Sequence, residues 1–397
     1  MPNKILPSKT LNLVTYDRCC EILSELVKIE SVNPFESGGK TEDDIARHLA
    51  NRLRRLDLQV EEQTVAKGRF NPVGLLEGEK GGPTIMLNSH MDTVGVEGMK
   101  EPFKPTIVGD ELYGRGSCDA KGSLSSMSMA IEAIAKSEMK ISGKVIFAPV
   151  CDEEYKSTGT DRLVDKYRAD YAVVGEPTEL RLGIAHKGFV WVKLVTKGKA
   201  AHGSVPEEGI DAIEKMAQLI TGLKELRHDY GHRELHPLLG EPKLHMGTIA
   251  GGTAPSVVPG LCEMIVERRT LPGETTEQIL KEVRQVVSKA SRNDPSLKVE
   301  ISVPFERTPF EVRLDDPFVS KLENAYETAL GKKAVICGLP YWTDAAIISN
   351  RLKIPTCVFG PGDIRYAHSR DEHIRIGEVV EAAKVYLTLI ASMCSGE

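Results

Sequence analysis

TIMLNSHMD, residues 84–92, is an apolar run that ends in a histidine and an aspartate. Its first residues predict a buried strand, and residues two apart on an extended segment face the same way. His90 and Asp92 therefore reach the same side just beyond the strand. An imidazole that binds metal usually has its other ring nitrogen held by a carboxylate or carbonyl. The pair suits a metal ligand and its orienting partner, although taken alone it fits a solvated turn better.

Short apolar runs alternate with helical patterns on both sides of this segment, which is typical of α/β proteins. Helices are expected at residues 41–56, 121–136, 316–330, 344–351 and 376–391, and strands at 73–76, 84–88, 145–150, 170–175 and 356–359. Between them the predicted order is strand 189–196, helix 209–226, strands 243–250 and 258–268, helix 275–291 and strand 297–303. This βαββαβ succession predicts a ferredoxin-like sandwich. We therefore expect one domain, residues 1–186 and 304–397, interrupted by an inserted domain, residues 187–303.

The composition is that of an ordinary globular chain. Of 397 residues, 41% are hydrophobic and 27% charged, and the formal charge of −6 argues against nucleic acid as a partner. No apolar run reaches the roughly 18 residues of a membrane helix, and polar residues interrupt the N-terminal segment, so we expect neither export nor a membrane partner. Eight cysteines without a CxxC pair suggest reduced thiols and a cytoplasmic location.

Acidic residues and a second histidine follow other predicted strands or precede a helix. They are Asp119 in GRGSCDAKG, Glu153 and Glu154 in CDEE, Glu176 in VGEP, and His368 in GPGDIRYAHSRDE. Ligands of open α/β sheets collect outside the carboxyl ends of the strands. Two histidines with several carboxylates suit zinc, or manganese or cobalt, and the cysteine spacing excludes a thiolate site. Because these ligands exceed the needs of one tetrahedral ion, two ions sharing a carboxylate fit better.

Five segments resemble, in order and spacing, the motifs of the M20 family of metallopeptidases and amidohydrolases. They are SHMDTV, GRGSCDAKG, CDEEYKSTGT, VGEPT and GPGDIRYAHSRDE, and the resemblance extends from about residue 15 to residue 390. It implies a zinc-peptidase-like α/β catalytic domain, with a mixed sheet flanked by helices. A ferredoxin-like α+β domain, which serves as lid and dimerisation domain, would interrupt it.

The resemblance also implies a role for each residue of the metal site. His90 and Glu176 would bind one zinc ion, Glu154 and His368 the other, and Asp119 would bridge the two. Asp92 would orient His90. Glu153 would be the general base that takes a proton from the metal-bridging water and delivers it to the leaving nitrogen, which agrees with how zinc and a nearby carboxylate activate water.

Three residues of the inserted domain match family positions. His202, in GKAAHGSVPEEG, would reach across a dimer interface to stabilise the oxyanion of the reaction. Arg269 would contact the substrate carboxylate, although a surface salt bridge at a strand end explains it as well. Ser256 stands where many relatives carry asparagine in the lid motif, so the family's way of positioning substrate is not fully kept here.

These observations lead to a dinuclear hydrolase that cleaves the amide bond of an N-acyl amino acid by a metal-bridging hydroxide, as deacetylases and desuccinylases do. A dipeptidase or carboxypeptidase of the same family is the alternative enzyme. A metal-dependent binding protein on the same scaffold is the alternative of another class. We expect a cytoplasmic homodimer formed through the inserted domain.

Two further patterns are interpreted as structural. His228, His232 and His236 recur every four residues, but Gly231 and Pro237 predict a loop, and the segment lacks the HExxH motif of a helical metal site. Asp344 precedes a predicted helix, and we interpret it as an N-cap.

Overall fold

A computed structural model describes residues 8–37, 39–137 and 139–394. The described chain forms two compact units. The first contains the residues up to Ile184, Val312–Cys337 and those from Thr343 onward, and the second contains Ala185–Glu311 and Gly338–Trp342. The expectation of no export signal concerns the N-terminal segment, whose first residues, 1–7, lie outside the described residues.

The two units alternate helices and strands along the chain. The helices are α1 (Ser8–Leu11), α2 (Tyr16–Val27), α3 (Pro34–Ser37), α4 (Asp43–Arg54), α5 (Gly122–Ala135), α6 (Thr158–Lys166), α7 (Ala212–Tyr230), α8 (Thr276–Asn293), α9 (Pro317–Leu330), α10 (Ala345–Leu352) and α11 (Ile376–Met393). The strands are β1 (Gln59–Ala66), β2 (Arg69–Glu77), β3 (Glu79–His90), β4 (Thr106–Val108), β5 (Glu111–Tyr113), β6 (Ser142–Val150), β7 (Tyr171–Val174), β8 (Leu182–His186), β9 (Gly188–Lys197), β10 (Lys243–Gly251), β11 (Leu261–Thr270), β12 (Lys298–Arg307), β13 (Phe310–Glu311), β14 (Ile336–Leu339), β15 (Thr356–Val358) and β16 (His373–Arg375).

The first unit is built on a mixed sheet in which β1, β2, β6, β3, β7, β15 and β8 are successive neighbours. Strands β6, β3, β7 and β15 run parallel, whereas β1, β2 and β8 are antiparallel to their neighbours. The central strands are apolar and buried, as parallel strands covered by helices on both faces must be. The expected α/β class with a mixed sheet is confirmed. The parallel strands bring four carboxyl ends to one edge of the sheet.

The second unit is a four-stranded antiparallel sheet in the order β10, β11, β9, β12, and α7 and α8 pack against it. Its core is formed by alternate strand residues and one stripe of each helix, among them Val192, Leu194, Leu219, Val266 and Val283. The βαββαβ order makes this unit the predicted ferredoxin-like sandwich.

Among the element ends that differ from the expectations, those of β12 and α7 concern residues singled out in the sequence. Strand β12 continues to Arg307, four residues past the expected boundary at 303, and includes Pro304. A proline is tolerated there because β12 is an edge strand with an irregular register between Ser302 and Phe305. Helix α7 continues to Tyr230, whose buried ring extends the helix's apolar stripe.

The extension of α7 corrects the expectation of a loop at His228, which is helical. His236 does lie outside the helix, where its Nε2 is 3.1 Å from a carboxylate oxygen of Glu311. In the part of the chain that the structure describes, the groups of side chains able to hold a metal ion include none of the three histidines.

Two expectations about the whole chain concern membranes and cysteines. None of the described helices has both the length and the apolar character needed to cross a membrane. All eight cysteines are free thiols, and Cys118 and Cys151 beside the predicted site are buried.

Candidate metal centre

The four parallel strands each deliver a polar segment to the same edge of the sheet. Strand β3 ends at His90 itself, β6 is followed by Glu153 and Glu154, and β7 is followed by Glu176. The segment after β15 carries His368. Asp119 comes from the buried turn that precedes α5. The structure thus brings to one place all five residues predicted as metal ligands.

His90, Asp119 and Glu176 form a first group of ligand atoms. The Nε2 of His90 lies 2.9 Å from Oδ1 of Asp119 and 3.8 Å from Oε2 of Glu176. All three residues are buried. Their atoms lie within 4.8 Å of one another, so a single cation can contact all three.

Asp119, Glu154 and His368 form a second group within the same distance. The Nε2 of His368 lies 3.2 Å from Oε1 of Glu154 and 3.3 Å from Oδ2 of Asp119. The His368 side chain is 51% exposed, so this side of the site is open to solvent. Asp119 offers one oxygen to each group, which is the arrangement of a carboxylate between two cations.

The charges of the two groups depend strongly on one another. Burial opposes protonation of His368, but the carboxylates of Asp119 and Glu154 outweigh it and raise its pKa to about 11. Burial and the charge of Asp119 raise the pKa of Glu154 to about 7, although His368 acts in the opposite direction. Burial likewise raises the pKa of Glu176 well above its ordinary value, and the charge of Asp119 adds to this rise.

The donor set fits divalent metal ions. Three carboxylates crowd around two imidazoles, and like charges this close favour protonation unless a cation neutralises them. The Oε1 of Glu176 is buried and, among the described residues, has no hydrogen-bond partner. A buried carboxylate oxygen without a partner is costly, and a coordinated cation would satisfy it. Nitrogen and oxygen donors without thiolate are a set suited to zinc, manganese or cobalt.

Glu153 is the neighbouring carboxylate that no ligand group includes. Burial raises its pKa well above the ordinary value of a glutamate, and the charge of Glu176 adds to this effect while His90 opposes it. A carboxyl group with a raised pKa holds a proton more firmly than an ordinary glutamate, which suits a group that takes up a proton and later returns it.

Asp92 holds the turn that carries these two glutamates. Its Oδ1 accepts the backbone N–H of Glu153 at 3.1 Å, and its Oδ2 accepts that of Glu154 at 3.0 Å. The Nδ1 of His90 lies 2.9 Å from the backbone carbonyl of Asp92 and 3.6 Å from its carboxylate. The nearer group to the imidazole is therefore the carbonyl, while the carboxylate anchors the glutamate turn.

A buried polar network supports the turn from behind, and sequence reasoning assigned it no role. Asn33 donates to Asp92 at 2.9 Å and to Asp152 at 3.1 Å. Arg69 lies 3.0 Å from Asp152 and donates through Nε to Glu42 at 2.8 Å. Glu42 also accepts the backbone N–H of Asp152 at 3.1 Å. Every member is buried, so its three carboxylates are satisfied by hydrogen bonds and by the one cation, Arg69, rather than by water.

The expected N-cap at Asp344 is wrong, because its side chain does not cap α10. Asp344 has helical backbone angles, and its side chain makes no cap hydrogen bond; Thr343 instead accepts the N–H of Ala345 at 3.2 Å. The buried carboxylate of Asp344 accepts the hydroxyl of Thr160 at 2.5 Å. Burial raises the pKa of Asp344 to about 7.

The remaining predicted residues lie in the second unit. His202 is exposed, and its Nδ1 is 2.8 Å from the hydroxyl of Ser204. It lies beside the segment of Ser256, whose carbonyl accepts the N–H of Gly203 at 2.7 Å. Arg269 donates to Glu267 at 2.6 Å, and its guanidinium lies over the ring of Phe189. This ion pair is the salt bridge expected from the sequence as the alternative to a substrate contact.

Arg268, the neighbour of Arg269, points to the other face of β11, as expected for a continued strand. It is fully buried, donates to Glu274 at 2.5 Å and lies over the ring of Tyr230.

Comparisons with known proteins place the chain among metal-dependent hydrolases. It is 28% identical to an acetylornithine deacetylase of Aliivibrio fischeri (strain MJ11) over 385 residues, which cover 93% of this chain and 97% of that protein. Its fold is similar to that of an M20 family metallo-carboxypeptidase, Sso-CP2, from Sulfolobus solfataricus, with a TM-score of 0.78, 18% identity and coverage of 95% and 99%.

A second structure with this fold is the YXEP protein of Bacillus subtilis, described as a dinuclear metal-binding peptidase of the M20 family. The TM-score is 0.71 at 17% identity, with 94% of this chain and 97% of that chain covered. Residues 86–392 match Peptidase family M20/M25/M40. This match takes in every residue of the two ligand groups, and the chain therefore belongs to that family.

Proposed function

We propose that this protein hydrolyses the amide bond of an N-acyl amino acid, with two metal ions held by its five clustered ligand residues. Metal-dependent hydrolysis of amide bonds is the activity of its family. The narrower substrate class is supported by the acetylornithine deacetylases, which are 27–29% identical to the chain and match over nearly its whole length. The observation that carries the proposal is that Asp119 belongs to both ligand groups.

His90 and Glu176 would hold one ion, Glu154 and His368 the other, and Asp119 both. When bound, such ions lower the pKa of coordinated water and polarise the carbonyl of the scissile bond. Zinc is the ion that we propose, because its preferred donors are those present, and cobalt and manganese accept the same set.

Glu153 would move the proton. Its backbone is fixed by Asp92, and burial with the charge of Glu176 gives its carboxyl a raised pKa. The carboxylate would take a proton from the attacking water and return it to the departing nitrogen, so that the amine leaves as a neutral group. A pure binding protein has no need for such a base beside its ligands.

Substrate contacts are proposed for the second unit. Arg269 would bind the substrate carboxylate with its planar guanidinium, which requires it to leave Glu267. Ser256 would donate a hydrogen bond from a side chain that is shorter than the asparagine of relatives. His202 would stabilise the oxyanion from the partner in a homodimer. A cytoplasmic location and dimerisation through this unit stay predictions.

Glu153→Gln provides the test. Purified protein with zinc, cobalt or manganese is assayed on acetyl, succinyl and formyl amino acids and on dipeptides, and bound metal is measured by atomic emission. We expect turnover of acyl amino acids by the wild type, and its loss by at least 100-fold in the variant with metal retained. Glu62→Gln, which removes an exposed partner of Arg54, is the matched control and should keep full activity.

Three outcomes would contradict the proposal in different ways. Turnover confined to dipeptides would favour the peptidase alternative. A wild type that holds metal but hydrolyses no substrate of the panel would favour a binding protein. Full activity in Glu153→Gln would remove Glu153 from the mechanism.

A further inference from the structure

Glu372 lies four residues beyond His368, yet its side chain reaches the turn that carries Asp119. Its Oε1 accepts the backbone N–H groups of Cys118 and Asp119, both at 3.0 Å. Its Oε2 accepts the N–H of Gly116 at 2.9 Å. The residue is only 1% exposed. One buried carboxylate therefore accepts hydrogen bonds from three backbone N–H groups of the turn that carries a proposed metal ligand.

The turn needs such an acceptor. Residues 115–120 are all buried, and Gly116 has a left-handed φ of 78°, which turns the neighbouring N–H groups towards one point. A buried N–H group without a partner costs the full free energy of its lost hydration. The carboxylate of Glu372 supplies the partner for three of them at once.

Arg115 extends this contact to another loop. Its Nη1 donates to Oε2 of Glu372 at 2.7 Å, and its Nε donates to the carbonyl of Gly95 at 2.8 Å. Gly95 follows the segment of His90 and Asp92. The Glu372–Arg115 pair thus joins three loops, each of which carries a proposed metal ligand.

His368 gives a second reason to expect such an anchor. Its φ of 60° is a left-handed backbone conformation that a histidine adopts at a cost. Such a conformation persists only where surrounding contacts determine it, and the bonds of Glu372 to the turn of Asp119 are among the contacts that hold this segment.

We propose that Glu372 is a positioning residue that fixes Asp119 and the His368 loop in one geometry and so sets the affinity for the second metal ion. This inference rests on the proposed metal centre. Glu372 contacts the backbone of Asp119 and not its proposed metal-binding oxygens, so it acts through that backbone and through its own loop.

Glu372→Gln is the variant that tests this role. The amide keeps the size of the carboxylate but turns one acceptor into a donor, which then faces an N–H group or the guanidinium of Arg115. Glu378→Gln is the matched control, because Glu378 lies six residues further on and accepts the backbone N–H of Gly362 at 3.0 Å rather than an N–H of the turn that carries Asp119. Glu372→Asp, which keeps both acceptor oxygens, is the second variant should the glutamine protein not fold.

Zinc alone is titrated calorimetrically into metal-free protein. Loss of a group that orients metal ligands typically weakens metal binding 10–100-fold. We expect the wild type and Glu378→Gln to bind two equivalents of zinc. In Glu372→Gln the affinity for the second equivalent should be about 10–100-fold lower, and in Glu372→Asp the loss of affinity should be smaller. If Glu372→Gln binds each of the two equivalents as tightly as the wild type does, the inference is overturned.

Amide hydrogen exchange of the metal-free proteins gives an independent readout. The amides of Gly116, Cys118 and Asp119 should exchange faster in Glu372→Gln than in the wild type and in Glu378→Gln. Unchanged exchange at these three amides would overturn the inference. A wild type that binds fewer than two zinc ions would instead overturn the proposed metal centre, and the exchange data would still decide whether Glu372 holds the turn.

Discussion

Replacing Arg69 by methionine removes the cation that lies between two buried carboxylates. Arg69 donates to Glu42 and lies 3.0 Å from Asp152, and Glu42 is fully buried. Methionine keeps most of the volume but leaves Glu42 without its counter-charge. Removing one partner of a buried ion pair typically costs 3–5 kcal/mol, because the other charge stays uncompensated.

The cost can be bounded from the chemistry of Glu42. An uncompensated buried carboxylate avoids its charge by taking up a proton, and each pH unit above its unfolded pKa of 4.5 costs about 1.36 kcal/mol. At pH 7 the bound is about 3.4 kcal/mol, and at pH 5 it is about 0.7 kcal/mol. Burial already raises the pKa of Glu42 in the wild type although Arg69 opposes it, and removal of Arg69 raises this pKa further. The lost stability is therefore small at low pH and grows towards the bound as pH rises.

Urea unfolding of metal-free protein provides the assay. Both tryptophans, Trp191 and Trp342, lie in the second unit, so their fluorescence reports that unit while far-ultraviolet circular dichroism reports both. Arg47→Met is the matched control: Arg47 is 60% exposed, pairs with Asp43, and lies over a phenylalanine ring at 5.6 Å, as Arg69 does at 5.7 Å. The control should lose less than about 1 kcal/mol.

Two results would refute this reasoning. One is a loss in Arg69→Met at pH 7 that is no larger than that of Arg47→Met. The other is a loss of several kcal/mol that does not change between pH 7 and pH 5, because protonation of Glu42 would then play no part.

Two further predictions concern other parts of the molecule. Burial, together with Arg52, lowers the pKa of His48 although Glu25 opposes it, so the stabilisation from neutral His48 is present above pH 6.5 and is lost as pH falls through the lowered pKa. His48→Gln should therefore flatten the dependence of the urea midpoint on pH between 7.5 and 5, and an unchanged slope would contradict this. In the second unit, Thr275 and Gln278 form a capping box at the start of α8, so Thr275→Ala should destabilise that unit by about 1 kcal/mol in tryptophan-monitored unfolding, whereas no shift would show that the cap contributes nothing.

Three of the proposed metal ligands could be located from sequence because each lies next to a strong local signal, whereas Asp119 and His368 were assigned their roles from the resemblance to the M20 family. The strands β3, β6 and β7 are buried on both faces and therefore appear as continuous apolar runs. His90, Glu154 and Glu176 stand at or just beyond their ends. Because parallel strands present their carboxyl ends at one edge of a sheet, these three residues are expected to lie close together.

Elements without such a signal were not predicted. Strand β1, Gln59–Ala66, is an edge strand whose residues are mostly half-buried or exposed, and its sequence QVEEQTVA resembles a solvated segment. The end of β12 was placed too early because Pro304 normally terminates a strand, and only pairing on one side makes it acceptable.

The residues that hold the site in place were missed for another reason. Asn33 contacts Asp152 across 119 positions, and Glu372 contacts Asp119 across 253. A single sequence contains no sign of which distant polar residues meet. The choice between the carbonyl and the carboxylate of Asp92 as partner of His90 is likewise a matter of backbone geometry, which residue spacing does not determine.

Anomalous diffraction at the zinc edge from crystals grown with zinc would test the central claim most directly. The account predicts two peaks with Asp119 between them, one beside His90 and Glu176 and one beside Glu154 and His368. A single peak, or peaks away from these side chains, would contradict it.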